Sequence, residues 1–450
     1  MRHAWRSLAV ASLLLFIAPM GGPCARADSL LDRFENARPA LQRQLRSRSV
    51  DARLEALGAL CEYPLADAAR IVHGCFADES EEVRERAYAT LLAINGEQEV
   101  CDALVELADK GMHDRNWPRT VPPALAALLS SNLPIARLKT QQFLDTTIAA
   151  SPRGPQIALA IADALGDRRQ RADVVTLARL SRTKVFAENF GVRRAVVGAL
   201  AQIPTKDAVG TLIGMLDRVG GEAKADASQY LTTVTGQIYG VDAAAWGRWW
   251  DQARAAFEYP HHSQNSPGRS TQTESPGGYY YGLPLFAERL VFVLDISGSM
   301  QGGRIVAAKR ELARAIHGLP DHASFGIVVF NERVGSWKKM LVPADKKMKE
   351  AAIEYIEQLN PHSNTASYDA LAAALTYDTE AIYFLSDGAP TSGKILAPVD
   401  IIAAITAANK VRRITIYTIG IAPGFPGSPT DAFLKTLADE NFGQYRRVDG

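Results

Sequence analysis

The first half of the chain has a helical pattern of apolar and polar positions. From residue 28 to residue 256, apolar side chains recur at three- and four-residue spacing, as they do on one face of an α-helix. Dipeptides that favour turns interrupt this pattern at Asn95-Gly96, Lys110-Gly111, Ser151-Pro152, Ile203-Pro204 and Gly220-Gly221. Because such dipeptides end helices, the region is predicted to be a series of helices of roughly 12–18 residues.

A short motif recurs within this helical region. A small or branched apolar residue precedes an Arg, and a Leu stands eight positions after the first residue. The four copies are Ala52-Arg53 with Leu60, Val83-Arg84 with Leu91, Ala136-Arg137 with Leu144, and Val192-Arg193 with Leu200. The segment 83–91 resembles the first helix of a HEAT repeat, and the helix after Asn95-Gly96 resembles its partner. The resemblance implies a solenoid of stacked helix pairs, and an irregular all-helical domain is the alternative.

Three tryptophans close the helical region. Trp246 and Trp250 share one helical face at i,i+4 spacing, and Trp249 lies between them. We interpret them as part of a terminal helix that covers the open end of the array, in preference to a sugar-binding platform.

The pattern changes in the last third of the chain, where short apolar runs alternate with helical segments. Strands are predicted at 290–294, 324–330, 381–385, 413–419 and 445–448, and helices at 304–316, 345–358, 366–375, 400–408 and 430–438. Continuous apolar strands separated by helices are typical of a doubly wound α/β domain, whose ligands bind beyond the carboxyl ends of the strands.

Residues 257–286 separate the two patterns and are rich in Ser, Pro and Gly. This composition predicts a flexible linker. His261-His262 lies within it, and we interpret the pair as exposed side chains in preference to a metal site. The predicted domains are therefore a signal peptide at 1–27, a helical repeat domain at 28–256, the linker, and an α/β domain at 287–450.

Oxygen-bearing side chains stand at the predicted carboxyl ends of the strands. Asp295, Ser297 and Ser299 directly follow the first strand, Asp387 follows the strand that begins at Ala381, and Thr365 precedes a helix. Two carboxylates and three hydroxyls suit Mg²⁺ or Mn²⁺ in octahedral geometry. They suit zinc poorly, because no His or Cys is supplied.

The segments that carry these residues are similar to those of a known family. Residues 293–300, 365–371 and 384–388 resemble the three segments of the metal-ion-dependent adhesion site of von Willebrand factor type A domains. The resemblance implies direct binding of the ion by Ser297 and Ser299, and largely water-bridged binding by Asp295 and Asp387. Thr365 is implied to bind directly or through water. Many members have Gly two residues before the Thr, where this chain has Ser363, and His362 beside it is interpreted as a rim residue.

A rival motif overlaps the third segment. Gly388-Ala389-Pro390-Thr391-Ser392-Gly393-Lys394 nearly matches a nucleotide-binding loop. However, Ile395 replaces the Ser or Thr that would hold Mg²⁺, and Pro390 lacks an N–H that would contact phosphate. We therefore do not predict a nucleotide site.

The charge balance argues against a nucleic-acid binder, and the amino-terminal segment and the cysteines bear on export. The 450 residues include 50 basic and 49 acidic side chains, so no basic excess indicates a nucleic-acid binder. The basic, then apolar segment 1–27 with the cleavage motif Ala25-Arg26-Ala27 predicts export without a membrane span in the processed chain. Cys61, Cys75 and Cys101 would remain, and the first two could form a disulfide, although core packing is the preferred interpretation.

These features together predict an exported, non-enzymatic binding module. The α/β domain would grip an acidic residue of a protein partner through Mg²⁺ or Mn²⁺, and the helical array would offer a second binding surface. A structural envelope scaffold, with the metal only bracing the strand ends, is one alternative. A metal-dependent hydrolase is another. The partner and the oligomeric state are not specified by the sequence.

Overall fold

A computed structural model describes residues 23–111, 117–143, 145, 153–260 and 275–449. The chain divides into two compact units, with the division after Val185. The predicted domain boundary at residue 256 differs from this division, because the last helices of the repeat region lie in the same unit as the sheet. The predicted signal segment falls mostly on residues 1–22, outside the described part. No helix among the described residues is long and apolar enough to cross a membrane.

The first unit is helical, as predicted. Its helices are α1 (Pro23–Leu45), α2 (Val50–Leu60), α3 (Ala66–Gly74), α4 (Glu81–Ile94), α5 (Gln98–Gly111), α6 (Trp117–Ser130), α7 (Pro134–Phe143), α8 (Gly154–Arg168) and α9 (Val174–Leu180), and α10 (Lys184–Glu188) spans the division. Helix α2 packs on α4, α3 on α5, and α4 on α6. This layered packing is that of stacked helix pairs, in which each pair buries its apolar face against the next.

The recurring Arg of the sequence motif has one structural role in three of its copies. Arg53 donates to the carbonyl of Ser47 at 2.8 Å, and Arg84 donates to that of Asp78 at 2.8 Å. Arg193 donates to the carbonyl of Ala187 at 2.7 Å. In each copy the acceptor lies six residues earlier, in the segment that enters the helix. The motif therefore gives a carbonyl of the preceding segment a side-chain donor.

Cys101 is buried in the core of the first unit, Cys75 packs against that core, and Cys61 is half-buried. Cys61, Cys75 and Cys101 are free thiols. Burial is the main reason that the pKa of Cys75 is raised, to about 11. A thiol that stays protonated at neutral pH is a poor nucleophile and metal ligand.

The second unit begins with four helices that pack on one another in alternate pairs. They are α11 (Phe190–Gln202), α12 (Lys206–Ile213), α13 (Gly221–Thr235) and α14 (Ala243–Ala253), with α11 on α13 and α12 on α14. Trp246 of α14 is fully buried and contacts Tyr239 and Trp249 edge to face. Trp250 lies against Gly210 of α12, where a Cβ atom would come within 3.0 Å of the indole.

The rest of this unit is an α/β domain with a seven-stranded sheet. Its strands are β3 (Arg289–Asp295), β4 (Ser324–Phe330), β5 (Val334–Ser336), β6 (Val342–Pro343), β7 (Ala381–Ser386), β8 (Thr415–Ile421) and β9 (Tyr445–Val448), after a hairpin of β1 (Tyr279–Tyr280) and β2 (Leu283–Pro284). The strand order is β5-β4-β3-β7-β8-β9, with β6 also paired to β4. The strands β4, β3, β7, β8 and β9 are parallel, and β5 and β6 are antiparallel to β4.

Helices cover both faces of the sheet, which confirms the predicted α/β fold. The helices are α15 (Gly303–Gly318), α16 (Lys346–Glu357), α17 (Ser367–Ala374), α18 (Pro398–Asn409) and α19 (Pro429–Glu440). One face carries α15 and α16, and the other carries α17 to α19. The β1–β2 hairpin packs on the α15 face through Tyr280 and Leu283, so residues 275–286 of the predicted linker contribute to the core. Residues 261–274 of that linker, with His261-His262, lie outside the described residues.

Buried polar side chains join α11 and α13 to the amino ends of the strands. Glu222 of α13 accepts a hydrogen bond from the Tyr417 hydroxyl at 3.0 Å and one from Thr415 at 3.3 Å. Arg194 of α11 donates to the Thr415 hydroxyl at 2.6 Å and lies 2.9 Å from the Asp226 carboxylate. We call Arg194, Glu222, Thr415 and Tyr417 the basal cluster. Through these hydrogen bonds, α11 and α13 are attached to strand β8 of the sheet.

Two further carboxylates reach the amino end of α13. The turn at Gly220 and Gly221 admits them, because a Cβ on Gly221 would lie 1.9 Å from Glu380 Oε2 and one on Gly220 would lie 2.4 Å from Glu288 Oε1. Gly221 also has a φ of +55°, in the left-handed region. Negative charge at the amino end of a helix is favourable. Arg193 lies 3.5 Å from Glu380 and adds an opposite charge.

The pKa of Glu380 is raised to about 7, mainly by burial; the charges of Glu288 and Glu222 contribute to this rise, and Arg193 opposes it. The folded unit therefore holds a proton that an exposed Glu, with a pKa of about 4.3, would lose. This preference stabilises the folded state below pH about 4.3, and the contribution is lost as the pH rises through about 7.

We expect the Glu380→Gln variant to lose less stability than the wild type between pH about 5 and about 8. Urea unfolding at both pH values measures the change in free energy of unfolding for each protein. Equal changes in the two proteins would contradict this assignment of the titrating group.

Candidate metal centre

The candidate residues stand where two neighbouring parallel strands end. Asp295 is the last residue of β3, and Asp387 directly follows β7. The two strands are paired in register, with Leu294 opposite Leu385. Their continuous apolar sequences bury both strands, so the first polar side chains after them face the same edge of the sheet.

Asp295 is completely buried and bound at both oxygens. Its Oδ1 accepts from the backbone N–H of Ser297 at 2.8 Å, which closes the turn after β3, and its Oδ2 accepts from the Ser386 hydroxyl at 2.6 Å. Burial raises the pKa of Asp295 to about 6, the hydrogen bonds from Ser297 and Ser386 oppose this shift, and the nearby Asp387 adds to it. The carboxylate is thus fixed in position but incompletely compensated in charge.

The remaining donors after β3 and β7 form a line of close oxygen atoms. The Ser297 and Ser299 hydroxyl oxygens are 3.1 Å apart, and Ser299 donates to Asp387 Oδ1 at 2.7 Å. Ser297 and Asp387 are buried. The structure therefore brings together four of the five predicted ligands, Asp295, Ser297, Ser299 and Asp387.

Arg304 occupies the outer side of Asp387. Its guanidinium donates to Asp387 Oδ2 at 2.7 Å and to the Ser299 carbonyl at 3.2 Å. The first contact is charge-assisted and involves the carboxylate oxygen that faces away from Ser299. Arg304, at the start of a predicted helix, and Ser386, within the third resembling segment, both contact predicted ligands, although the sequence pattern assigns neither of them a role. Their positions, directly beside the two ligand segments, were the available signal.

Thr365, the fifth predicted ligand, is buried in the loop before α17. This loop is bound to the turn after β3, because the Gly298 N–H donates to the Ser363 carbonyl and the His362 N–H donates to the Ile296 carbonyl, both at 2.9 Å. The Ala366 N–H donates to the Asn331 carbonyl at 2.8 Å on its other side. The loop therefore adjoins the other ligands.

Ser363 stands where many members of the resembled family have Gly, and its backbone conformation is one that glycine favours. Ser363 has a φ of +68°, in the left-handed region that glycine adopts without steric cost. Its hydroxyl donates to the exposed carboxylate of Glu332 at 2.5 Å. The serine thus keeps the glycine-like conformation that the loop requires. His362 is exposed, and its ring nitrogens lie 2.9 Å from the Asn360 carbonyl and 3.0 Å from Asn331 Nδ2, in agreement with a rim position.

The segment that resembles a nucleotide-binding loop is not followed directly by a helix, as such a loop would be. A phosphate-binding loop leads directly into a helix, whose amino end faces the phosphate. Here α18 begins only at Pro398, four residues after Lys394. The stretch 388–394 instead folds back onto the loop of Thr365.

The donor set fits a hard divalent cation. Octahedral Mg²⁺ has metal–oxygen distances of about 2.1 Å, so adjacent ligand oxygens lie about 3.0 Å apart. The 3.1 Å between the Ser297 and Ser299 hydroxyl oxygens, the two ligands expected to bind directly, is close to that edge length. The site has only two carboxylates. Clusters of three or more His, Cys, Asp or Glu side chains that could hold a metal do not occur in the part of the chain that the structure describes.

Comparison with known families agrees with the sheet and with the helical repeats. Residues 288–447 match the von Willebrand factor type A domain, and residues 38–116 match HEAT repeats. The chain carries a von Willebrand factor type A domain and an amino-terminal region of HEAT-like repeats.

Curated relatives share only part of this architecture. Inter-alpha-trypsin inhibitor heavy chain H2 of Mesocricetus auratus is 30% identical over 177 residues, which cover 36% of this chain and 18% of that protein. Heavy chain H4 of Bos taurus is 28% identical over 198 residues, covering 40% and 21%. The chain thus matches about a fifth of the length of these relatives.

Two solved structures each match 36% of this chain. A von Willebrand factor type A protein from Catenulispora acidiphila is 24% identical and covers 36% of this chain and 38% of its own, with a TM-score of 0.31. An aerotolerance-related membrane protein from Bacteroides fragilis is 20% identical and covers 36% of this chain and 92% of its own, with a TM-score of 0.29.

Proposed function

We propose that the von Willebrand factor type A domain binds Mg²⁺ or Mn²⁺ and, through it, an acidic side chain of a protein partner. The close run of oxygens from Ser297 through Ser299 to Asp387 carries this proposal. Ser297 and Ser299 would bind the ion directly, Asp295 and Asp387 mainly through water, and Thr365 directly or through water. The bound ion would supply an electrophilic centre with one coordination position open for a carboxylate oxygen.

The charge of the site favours an acidic partner. Asp295 and Asp387 are its two carboxylates, and Arg304 is ion-paired with Asp387 at 2.7 Å. When a divalent cation is present, positive charge therefore exceeds negative charge at this edge of the sheet. Ser297, Ser299 and Thr365 add no compensating charge. A partner carboxylate would restore the balance, and a partner amine would be repelled.

We further propose that the domain binds and does not catalyse. The two carboxylates at the site are held by serine hydroxyls, a backbone N–H and Arg304. The His362 ring is fixed on both sides by Asn360 and Asn331. A general base for hydrolysis must reach the proton that it abstracts, and these contacts occupy the groups that could serve. The proposal includes export of the chain and a second protein-binding surface on the helical repeats.

Selection from a random peptide display library tests the proposed function. The full chain is immobilised, peptides are bound in Mg²⁺ and eluted with a chelator, and the same selection is run on the Asp387→Asn variant. We expect the wild-type eluate to be enriched in peptides with Asp or Glu, and the variant to give no such enrichment. If the wild-type protein binds Mg²⁺ by calorimetry but yields no acidic enrichment, partner binding through the ion is contradicted and a structural metal is favoured.

A further inference from the structure

The stretch that follows Asp387 resembles a nucleotide-binding loop in sequence, but in the structure it binds the backbone of Thr365, one of the predicted metal ligands. We propose that Thr391 and Gly393 are positioning residues that hold Thr365 in place for the cation. This inference rests on the proposed metal binding and assigns a role to residues 389–394, which we call the brace loop.

Thr391 binds the backbone of Thr365 at both polar groups. The Thr365 N–H donates to the Thr391 hydroxyl at 2.9 Å, and the Thr391 N–H donates to the Thr365 carbonyl at 2.9 Å. The Ser392 N–H donates to the same carbonyl at 3.1 Å. Three hydrogen bonds from two residues therefore fix the peptide groups on either side of the Thr365 Cα atom, and with them the direction of its side chain.

Gly393 allows the brace loop to approach the helix that follows Thr365. Its φ is +106°, and a Cβ atom there would lie 2.4 Å from Asp369 Oδ2 and 3.3 Å from the Ala366 Cβ. The space is used by Asp369 of α17, whose Oδ2 accepts from the Lys394 N–H at 3.0 Å. A side chain at position 393 would clash with Asp369, and the positive φ would strain the backbone of any residue other than glycine. The loop is thus anchored to α17 just beyond its contacts with Thr365.

The brace loop connects two predicted metal ligands, because it follows Asp387 in the sequence and binds Thr365. The loop begins two residues after Asp387, so one continuous segment supplies a ligand and then clamps the residue that supplies another. Thr391 is exposed whereas Thr365 is buried. An exposed threonine whose hydroxyl binds a buried backbone group is suited to orienting that group, and it contributes little to the core. Residues that orient metal ligands typically change metal affinity 10- to 100-fold when they are replaced.

Calorimetric titration of the full chain with Mn²⁺ tests the proposal. Thr391→Val keeps the shape of the side chain and removes the hydroxyl, and we expect it to weaken Mn²⁺ binding about 10-fold or more. Thr391→Ser restores the hydroxyl and should bind nearly as the wild type does. Thr376→Val is the matched control, because the exposed Thr376 hydroxyl binds only the nearby Ala373 carbonyl in its own helical turn. Gly393→Ala should also weaken binding.

Melting curves recorded in chelator separate positioning from folding. We expect the melting temperature of metal-free Thr391→Val to be close to that of the metal-free wild type, and the stabilisation on adding Mn²⁺ to be smaller. Wild-type affinity in Thr391→Val, or an equal loss in the valine and serine variants, would overturn the positioning role and leave the proposed function standing. Absence of Mn²⁺ binding by the wild type would instead overturn the proposed function itself.

Discussion

Asp295→Asn is expected to reduce Mg²⁺ binding by the full chain more than about 100-fold, beyond the range found for residues that only orient ligands. The substitution keeps an oxygen that can accept from the Ser297 N–H, but it removes one of two negative charges. The other, on Asp387, is already shared with Arg304. A site left with one shared carboxylate and neutral hydroxyls cannot replace the hydration of a divalent cation.

The same substitution should leave the metal-free protein folded. Because burial raises the pKa of Asp295 to about 6, the folded state accommodates the neutral form of this side chain better than the unfolded state does, and asparagine resembles that form in charge. We expect similar urea unfolding curves for the two proteins in chelator, and a difference only when Mg²⁺ is added. Asp321→Asn is the control, since its carboxylate is almost fully exposed. Equal Mg²⁺ affinities of Asp295→Asn and wild type would rule out the proposed site.

Arg194→Met is expected to destabilise the second unit by about 3–5 kcal/mol, the usual cost of removing one partner from a buried ion pair. Arg194 is 7% exposed and donates to Thr415 and to the Arg413 carbonyl, and it pairs with Asp226. Methionine fills similar volume but satisfies none of these acceptors. The buried Glu222, which also binds Thr415, would lose a nearby positive charge.

Urea unfolding followed by tryptophan fluorescence measures this effect, because α14 of the same unit carries Trp246. The control is Arg314→Met, which removes an exposed arginine paired only with Glu311 on the same helix. Exposed pairs contribute little, so its free energy of unfolding should change by less than about 0.5 kcal/mol. Similar, small changes in both variants would show that the basal cluster does not hold the helices to the sheet.

The sequence was most informative where one physical requirement dominates. The predicted bounds of β4 agree with the structure, because a buried strand of a parallel sheet is a continuous apolar run ended by turns. The bounds of β9 agree as well, although this edge strand is only partly buried and carries Arg446 and Arg447. The strand predicted from Arg413 instead begins at Thr415, since Arg413 has a φ of +53° that a strand cannot include. The short β5 and β6 were not predicted, because strands of two or three residues leave no alternation to detect.

Contacts between distant residues were outside the reach of the sequence pattern. Glu222 lies on a helix that the pattern assigns to the repeat region, and nothing in its periodicity distinguishes a carboxylate bound to Tyr417 from one in solvent. The division of the chain after Val185 follows from such contacts. The four adjacent ligands of the candidate site were accessible to prediction because strand ends fix their position. The brace on Thr365 depends on how two loops meet, which spacing along the chain does not encode.

The two edges of the sheet restrict how other chains can join it. On one side β4 is covered by β5 and β6, of three and two residues. On the other, β9 has four residues and includes Arg446 and Arg447. An extended segment of another molecule would find few consecutive backbone groups to pair with, and short or charged edge strands are a known protection against aggregation by strand addition. Intermolecular β-sheet growth is therefore disfavoured at both edges.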